Sequence, residues 1–401
     1  MRKLSFTGCL LLATIFVYGQ KKEMNNAFNF YLNGYLDRAK DAIDKAILND
    51  ETAKDAKTWM YRGNIYLRLA DAKEKKDREY QNLCKNCAEV AYDAYMKAFE
   101  LDPKITVGNM GIDNPAQGLK YCAGYLYNDA LGFFENKQYE EAHAVLIKAN
   151  KADESQEYIT FLLAYTAEIT KKTDVAKTHY NSLIRNKTKD VRAYQYLANI
   201  YKSENDTAKV LSTMKAGEAV FLVEIQRDPK NPTKENMQDT LYKNFVIAYS
   251  FFLSWADKAD EGTELIEKAV GKYPNDHVLL ISYGTELSTA KQYAEAEKYL
   301  KKALEMQPDE YTAIFNLGVC YYNNYGDIKN SFRDIEDDKE YKRLKDESVR
   351  LAEAARPYLE KALQIDPKDK STMLMLKNIY LQLNLTEEFN AIDEKINALG
   401  K

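Results

Sequence analysis

The sequence predicts an all-α fold: an α-solenoid (superhelix) of about eight helix–turn–helix units closed by C-terminal capping helices. Three observations predict it. The first is a pattern that recurs every 34 residues. Counted from Ala123, Glu157 and Val191, position 4 is Leu126, Thr160 and Tyr194, and position 8 is always alanine, Ala130, Ala164 and Ala198. The same ruler fits again from Lys243, His277 and Tyr311. A fixed period of this size marks a stack of like units, each burying its apolar face on its neighbours. The second is helical spacing inside the period. In the unit from His277, Leu280, Tyr283, Gly284 and Leu287 share one stripe, and Ala296, Leu300 and Ala303 share another, with Pro308 after them. Small residues at positions 8 and 20 let the two backbones approach closely, and the proline stops the second helix. The third is bulk composition. Hydrophobic residues are 45% and charged ones 29%, with 8 Pro and 16 Gly, which is too apolar for disorder. At 401 residues, a stack also avoids the size limit of a single core.

In chain order, residues 1–19 read as an export signal. Arg2 and Lys3 form a basic start, and residues 10–17 form an apolar run too short to span a bilayer. Val17 and Gly19 sit at the −3 and −1 positions of a cut before Gln20. Cys9 precedes the apolar run, whereas a lipid-attachment cysteine follows one.

Residues 20–103 hold the N-terminal units. The first carries Phe30, Ala39, Ile43 and Ala46. The second starts near Ala56 with Trp59, Gly63 and Tyr66, then Ala91, Tyr95, Ala98 and Pro103, with an insertion over 67–90. Residues 104–122, with Gly108, Gly111, Pro115 and Gly118, read as a linker. Residues 123–242 hold the central units and an extension over 225–242 around Pro229 and Pro232. Residues 243–401 hold the C-terminal units, with an insertion over 323–350 and capping helices over 370–401. The stretch 335–362 reads as one long charged helix with Pro357 inside it. Polar Asn390, Glu394 and Lys395 suit a terminal cap that faces water. The mixed charge runs 73–78 and 333–345 read as solvated helix faces.

The motifs Ala142-Leu146-Ala149, Ala176-Tyr180-Leu183, Ala296-Leu300-Ala303-Pro308 and Ala355-Leu359-Ala362-Pro367 resemble the tetratricopeptide repeat family over nearly all of the mature chain. The resemblance implies protein or peptide partners, held on a concave face lined by positions 2, 5, 9 and 12 of each first helix. Here those positions are Tyr127, Phe134, Tyr158, Phe161 and Tyr165, followed by Arg192, Gln195, Asn199 and Lys202. An aromatic wall beside a polar, basic one suits an extended peptide or a helix laid in a groove. The family's two-carboxylate clamp for chaperone C-termini is matched by no three consecutive units.

Candidate chemistry is sparse. Cys84 and Cys87 form a C-x-x-C motif. Structural thiols, or a disulfide among Cys84, Cys87 and Cys122, are the leading reading in an exported protein. A zinc site would need two further ligands, and a redox centre would want a thiolate held at a helix N-terminus. No Gly-rich phosphate loop, nucleophile elbow or paired histidine motif is present. The sequence thus implies no cofactor and no catalysis. A net charge of −4 supplies no basic field for nucleic acid. Asp206-Thr207-Ala208 resembles an O-glycan acceptor triplet but reads better as a helix N-cap. These readings point to a non-catalytic scaffold or assembly factor, exported to the periplasm or outer membrane of a Gram-negative cell envelope. The alternative is a glycan-binding or nutrient-uptake accessory of the outer membrane, using the 31 tyrosines to stack on sugar rings. Such accessories usually carry a lipid-attachment cysteine.

Overall fold

The computed structural model describes residues 21–223, 235–331 and 335–399. Residues 1–19, read above as an export signal, and most of the extension over 225–242 lie outside them. The described residues are helical, with no β-strand among them. They fall into two compact units, residues 1–188 and 189–401, each of which is a run of helix pairs.

In the first unit the pairs are α1 (Lys22–Leu32) with α2 (Leu36–Ala46), α3 (Ala56–Glu74) with α4 (Cys87–Leu101), α5 (Pro115–Glu135) with α6 (Tyr139–Ala152), and α7 (Glu157–Ile169) with α8 (Thr173–Arg185). In the second they are α9 (Val191–Ser203) with α10 (Thr207–Phe221), α11 (Met237–Trp255) with α12 (Ala259–Lys272), and α13 (His277–Thr289) with α14 (Tyr293–Met306). Then come α15 (Tyr311–Ser331) with α16 (Asp338–Ile365), and α17 (Lys370–Gln382) with α18 (Thr386–Leu399). Four of the six ruler origins, Glu157, Val191, His277 and Tyr311, are the first residues of helices.

Local chemistry repeats along with the helices. Most first helices begin behind an Asp or Asn that accepts a backbone N–H: Asp55, Asn114, Asp190, Asn236, Asp276 and Asp369. The turn inside each pair is equally regular. After α1, α3, α5, α7, α9, α11, α13 and α17 the second residue past the helix has positive φ: Gly34, Lys76, Lys137, Lys171, Asn205, Asp257, Lys291 and Asn384. The following N–H then reaches back five residues, as in Gln138 to Phe133 at 2.9 Å and Gln292 to Leu287 at 2.8 Å. This is the Schellman closure, which satisfies orphan carbonyls at the helix end. Four second helices, α4, α12, α14 and α16, end differently, running into Pro103, Pro274, Pro308 and Pro367, whereas α8 closes as the first helices do, on Lys187 with its φ of 57°.

Packing explains the small residues. A Cβ built on Gly284 would stand 2.7 Å from Leu300 Cγ, and one on Gly318 would stand 2.8 Å from Leu359 Cδ2. The first helix of each of these pairs therefore meets the second by direct backbone approach. One buried cluster runs from Met24 to Leu163 inside the first unit, and another from Val246 to Ile392 inside the second. The last helix, α18, buries Ile392 alone, while Asn390, Glu394 and Lys395 are exposed, as a terminal cap requires.

Three boundaries differ from the sequence reading. Residues 115–122 are not linker but the first turns of α5, because Asn114 caps the helix and Pro115 takes its first position. The remaining segment, 102–114, is packed rather than free: Val107 and Met110 are buried, and Val107 N–H donates to Asp113 O at 2.8 Å. The insertion over 67–90 is helical at both ends, since α3 runs to Glu74 and α4 starts at Cys87. The charge run 73–78 consequently ends a helix instead of lying along one. The insertion over 323–350 likewise lengthens both helices of its pair. Pro357 sits inside α16, whose Leu344, Ser348, Leu351, Ala355, Leu359 and Ala362 form its buried stripe.

Candidate interaction surface

Two surface cavities lie side by side in the first unit and share one wall. A cavity of 310 Å³ is bounded by the α1–α2 turn, by α3 and by Asp77 and Tyr80 of the following loop. A second, of 320 Å³, is bounded by α3, by Met110, Gly111 and Ile112, and by Tyr121 and Tyr125 of α5. Tyr31, Arg68, Asp71 and Lys75 belong to both.

Helical spacing sets this wall, since Arg68, Asp71 and Lys75 follow one another at steps of three and four on α3 and just past its end. Asp71 is the hub. Its carboxylate accepts from Arg68 at 2.6 Å, Lys75 at 3.0 Å and the Tyr125 hydroxyl at 3.0 Å. Burial pushes the Asp71 carboxyl up, but the Lys75 and Tyr125 hydrogen bonds outweigh this and hold it below the ordinary range. Tyr125, partly buried against that carboxylate, is pushed up to about 12 and stays a neutral donor. Arg68 and Lys75 keep most of their side chains in water, at 56% and 69% exposure, so donors on each remain open to a ligand. Tyr121 is 55% exposed beside them.

The floor is fixed by hydrogen bonds to loop 102–114. The Tyr31 hydroxyl donates to Met110 O at 3.0 Å, and Asn64 Nδ2 donates to Ile112 O at 3.0 Å. At the far edge, the Tyr80 hydroxyl donates to Gly34 O at 3.0 Å. The surface is thus held by hydrogen bonds, aromatic, and lined by charges of both signs, Arg68 and Lys75 with Asp71 and Asp77. It can stack on side chains and donate to the carbonyls or carboxylates of an extended chain.

The sequence-predicted groove residues divide between the two units. In the first, Tyr127 meets Tyr158 edge-on at 4.7 Å, and Phe134 lies 5.2 Å from Tyr139 and 5.9 Å from Tyr165. Phe161 is buried and packs on Tyr165 and Tyr180, so its ring belongs to the interior and not to an open groove. Tyr158 is the exposed ring of this set, at 47%. In the second unit, Arg192 pairs with Asp190 at 2.6 Å, Asn199 is exposed and Gln195 is half-buried. The Lys202 ammonium lies over the rings of Phe251 and Trp255, 4.4 and 5.7 Å from their centres. Sequence reasoning missed Tyr31, Arg68, Asp71, Lys75 and Tyr121 because they fell in stretches read as insertion or linker, or in the first, less regular unit, and missed Tyr125 because it is position 3 of the unit from Ala123, which is not a groove position.

Cys84, Cys87, Cys122 and Cys320 stand as free thiols in this structure. Cys122 is fully buried on α5, and the Cys87 thiol donates to the Cys84 carbonyl at 3.0 Å. Among the described residues no three His, Cys, Asp or Glu side chains converge as a metal site. The triplet at Asp206 is a helix N-cap, with the carboxylate accepting from Lys209 N–H at 3.0 Å. No described helix is long and apolar enough to cross a membrane.

Residues 284–330 match the tetratricopeptide repeat family. No curated protein matches the sequence. Among solved structures the chain is similar to the C-terminal part of a TPR repeat-containing protein from Cytophaga hutchinsonii, at 16% identity over 68% of this chain and 95% of that one, with a TM-score of 0.41. It is also similar to a tetratricopeptide repeat protein from Parabacteroides merdae, at 13% identity over 64% and 98%, with a TM-score of 0.39. A third is PilW, a type IV pilus biogenesis factor, at 15% identity over 69% and 92%, with a TM-score of 0.38. Residues 284–330 are thus a tetratricopeptide repeat segment, and the paired helices closed on small residues on either side of it are similar to that repeat.

Proposed function

We propose that the protein is a scaffold or assembly factor of the bacterial cell envelope, non-catalytic at its partner surface, that holds an extended segment of a partner protein. The paired cavities on α3 carry this reading. They present exposed Tyr121, half-buried Tyr31 and Tyr125, and the open donors of Arg68 and Lys75 on a wall already fixed by Asp71. A preformed surface of this kind binds with little ordering cost. The basic, apolar and small-residue pattern of residues 1–19 supports export.

The test is a photo-reactive residue at Tyr121, used in intact cells and read by mass spectrometry, with Ile147 on α6 as an exposed control. The reading expects a discrete envelope protein joined to position 121, and loss of that product when Arg68 and Lys75 are both changed to Glu. Products identical at both positions, or none at 121, contradict it. Fractionation of the cell tests the location, and recovery in the cytoplasm contradicts export.

A further inference from the structure

The loop between α3 and α4 places two thiols in unlike settings three residues apart. Cys84 is half-exposed in non-helical chain, flanked by the exposed Lys85 and Asn86. Cys87 is the first residue of α4, only 1% exposed, and its Sγ lies 3.0 Å from the Cys84 carbonyl. It also lines a separate cavity of 140 Å³ with Lys73, Tyr125, Asn128 and Asp129. The Lys73 ammonium pins this corner, donating to Lys85 O at 2.8 Å and to Asp129 at 2.7 Å. The helix N-terminus and two lysines, Lys40 and Lys73, bring positive potential to the outer sulfur.

We propose that Cys84 and Cys87 form a thiol–disulfide exchange site whose substrate class is a disulfide, small or protein-borne. The Cys84 thiolate attacks one substrate sulfur, forming a mixed disulfide, and the other sulfur leaves as a thiolate that takes a proton from water. Cys87 then gives its proton to solvent and attacks the Cys84 sulfur, and the second substrate sulfur leaves as a thiol. The substrate gains two electrons and two protons as two thiols, and the protein loses the two electrons as a Cys84–Cys87 disulfide; the protons pass through solvent, one released by Cys87 and one released earlier when Cys84 ionised. The two thiols differ in the direction this order needs. The neighbouring Cys87 thiol is the main influence that holds Cys84 below the ordinary cysteine range, against the effect of burial, with the Asn86 N–H and the two lysines assisting. The bond to Cys84 and burial push Cys87 far above that range. The site adjoins the partner surface, with which it shares Tyr125, but neither thiol lines the two cavities of that surface.

The test uses the full chain and glutathione disulfide. The reduced protein is exposed to it, quenched with an alkylating agent and mapped by peptide mass. The proposal expects a Cys84–Cys87 disulfide in wild type, while Cys122 and Cys320 remain as alkylated thiols. In Cys87→Ser it expects one glutathione retained on Cys84, and in Cys84→Ser no adduct on Cys87. Native wild type should also alkylate at Cys84 at least about tenfold faster than at Cys320. The wild-type map requires no variant, so misfolding of Cys87→Ser leaves the test intact. A wild-type map with Cys84 and Cys87 still both alkylated, or equal alkylation rates at Cys84 and Cys320, overturns the proposal.

Discussion

The ring of Tyr95 occupies the space that a side chain on Gly63 would need: a Cβ there would stand 2.5 Å from Tyr95 Cε1. A Cβ on Gly118 would meet the same ring at 2.5 Å, so Tyr95 on α4 is held between glycines of α3 and α5. Both glycines are helical, so their role is space and not backbone conformation. Gly63→Ala gains about 1 kcal/mol of helix propensity but forces a buried aromatic ring to move, which typically costs 1–3 kcal/mol or more. The expected outcome is a lower unfolding midpoint. Gly124→Ala, on the open side of α5 with nothing within 4 Å, should leave the midpoint unchanged or raise it. Equal effects at the two positions would show that the close approach is not what matters.

The Tyr95 hydroxyl donates to Asn64 Oδ1 at 2.7 Å, and Asn64 in turn holds Ile112 O. Asn64 is 2% exposed, so water does not replace a lost donor. Tyr95→Phe should cost about 1–3 kcal/mol through the unsatisfied acceptor. It should also speed hydrogen exchange in loop 102–114. Stability equal to wild type in chemical denaturation would contradict this.

The turn lysines are a reserve of stability. Lys137, Lys171 and Lys291 each hold φ near 60°, a conformation that costs a side-chain-bearing residue about 1–2 kcal/mol and glycine almost nothing. Changing any of them to Gly should raise stability by up to about 1 kcal/mol, after the entropy lost by glycine is deducted. Lys301→Gly, inside α14, should instead lower it by about 1 kcal/mol. Thermal midpoints of the four variants check both signs.

Glu286 gives a pH dependence. It is 8% exposed on α13, and burial raises its carboxyl above the usual glutamate value of 4.5, offset in part by the Ser254 hydroxyl that donates to it. The folded protein thus takes up this proton before the unfolded chain does. Stability is fullest below the unfolded value and is lost as pH rises through the folded one. Glu286→Gln keeps an acceptor for Ser254 and removes the charge. Its stability relative to wild type should therefore rise with pH, by about 1.4 kcal/mol for each unit that the folded value is raised. Denaturation curves at about pH 4 and pH 7 decide it, and a difference independent of pH contradicts the assignment.

What the sequence made legible follows from periodicity. At four of the six ruler origins, Glu157, Val191, His277 and Tyr311, helix starts were readable to the residue because the same contacts recur, whereas Ala123 and Lys243 lie inside helices lengthened at their N-terminal ends. Gly284 and Gly318 were readable for the same reason, being small where a partner leucine enters. The cavity wall was not, because α3 and α5 depart from the ruler. Arg68, Asp71 and Lys75 stand near the end of an elongated helix, and Tyr121 stands in turns added ahead of Ala123. Their convergence depends on loop 102–114 folding back onto Tyr31 and Asn64, a non-local contact without period. Phe161 shows the reverse error: its position number is that of a groove residue, but Tyr180 packs on it from α8.

The most direct test of the central claim is hydrogen exchange on the protein with and without the partner recovered by cross-linking at Tyr121. The account predicts slowed exchange in α3, loop 102–114 and the start of α5, with α6 unchanged. Protection confined to α6, or spread evenly over the first unit, would contradict it.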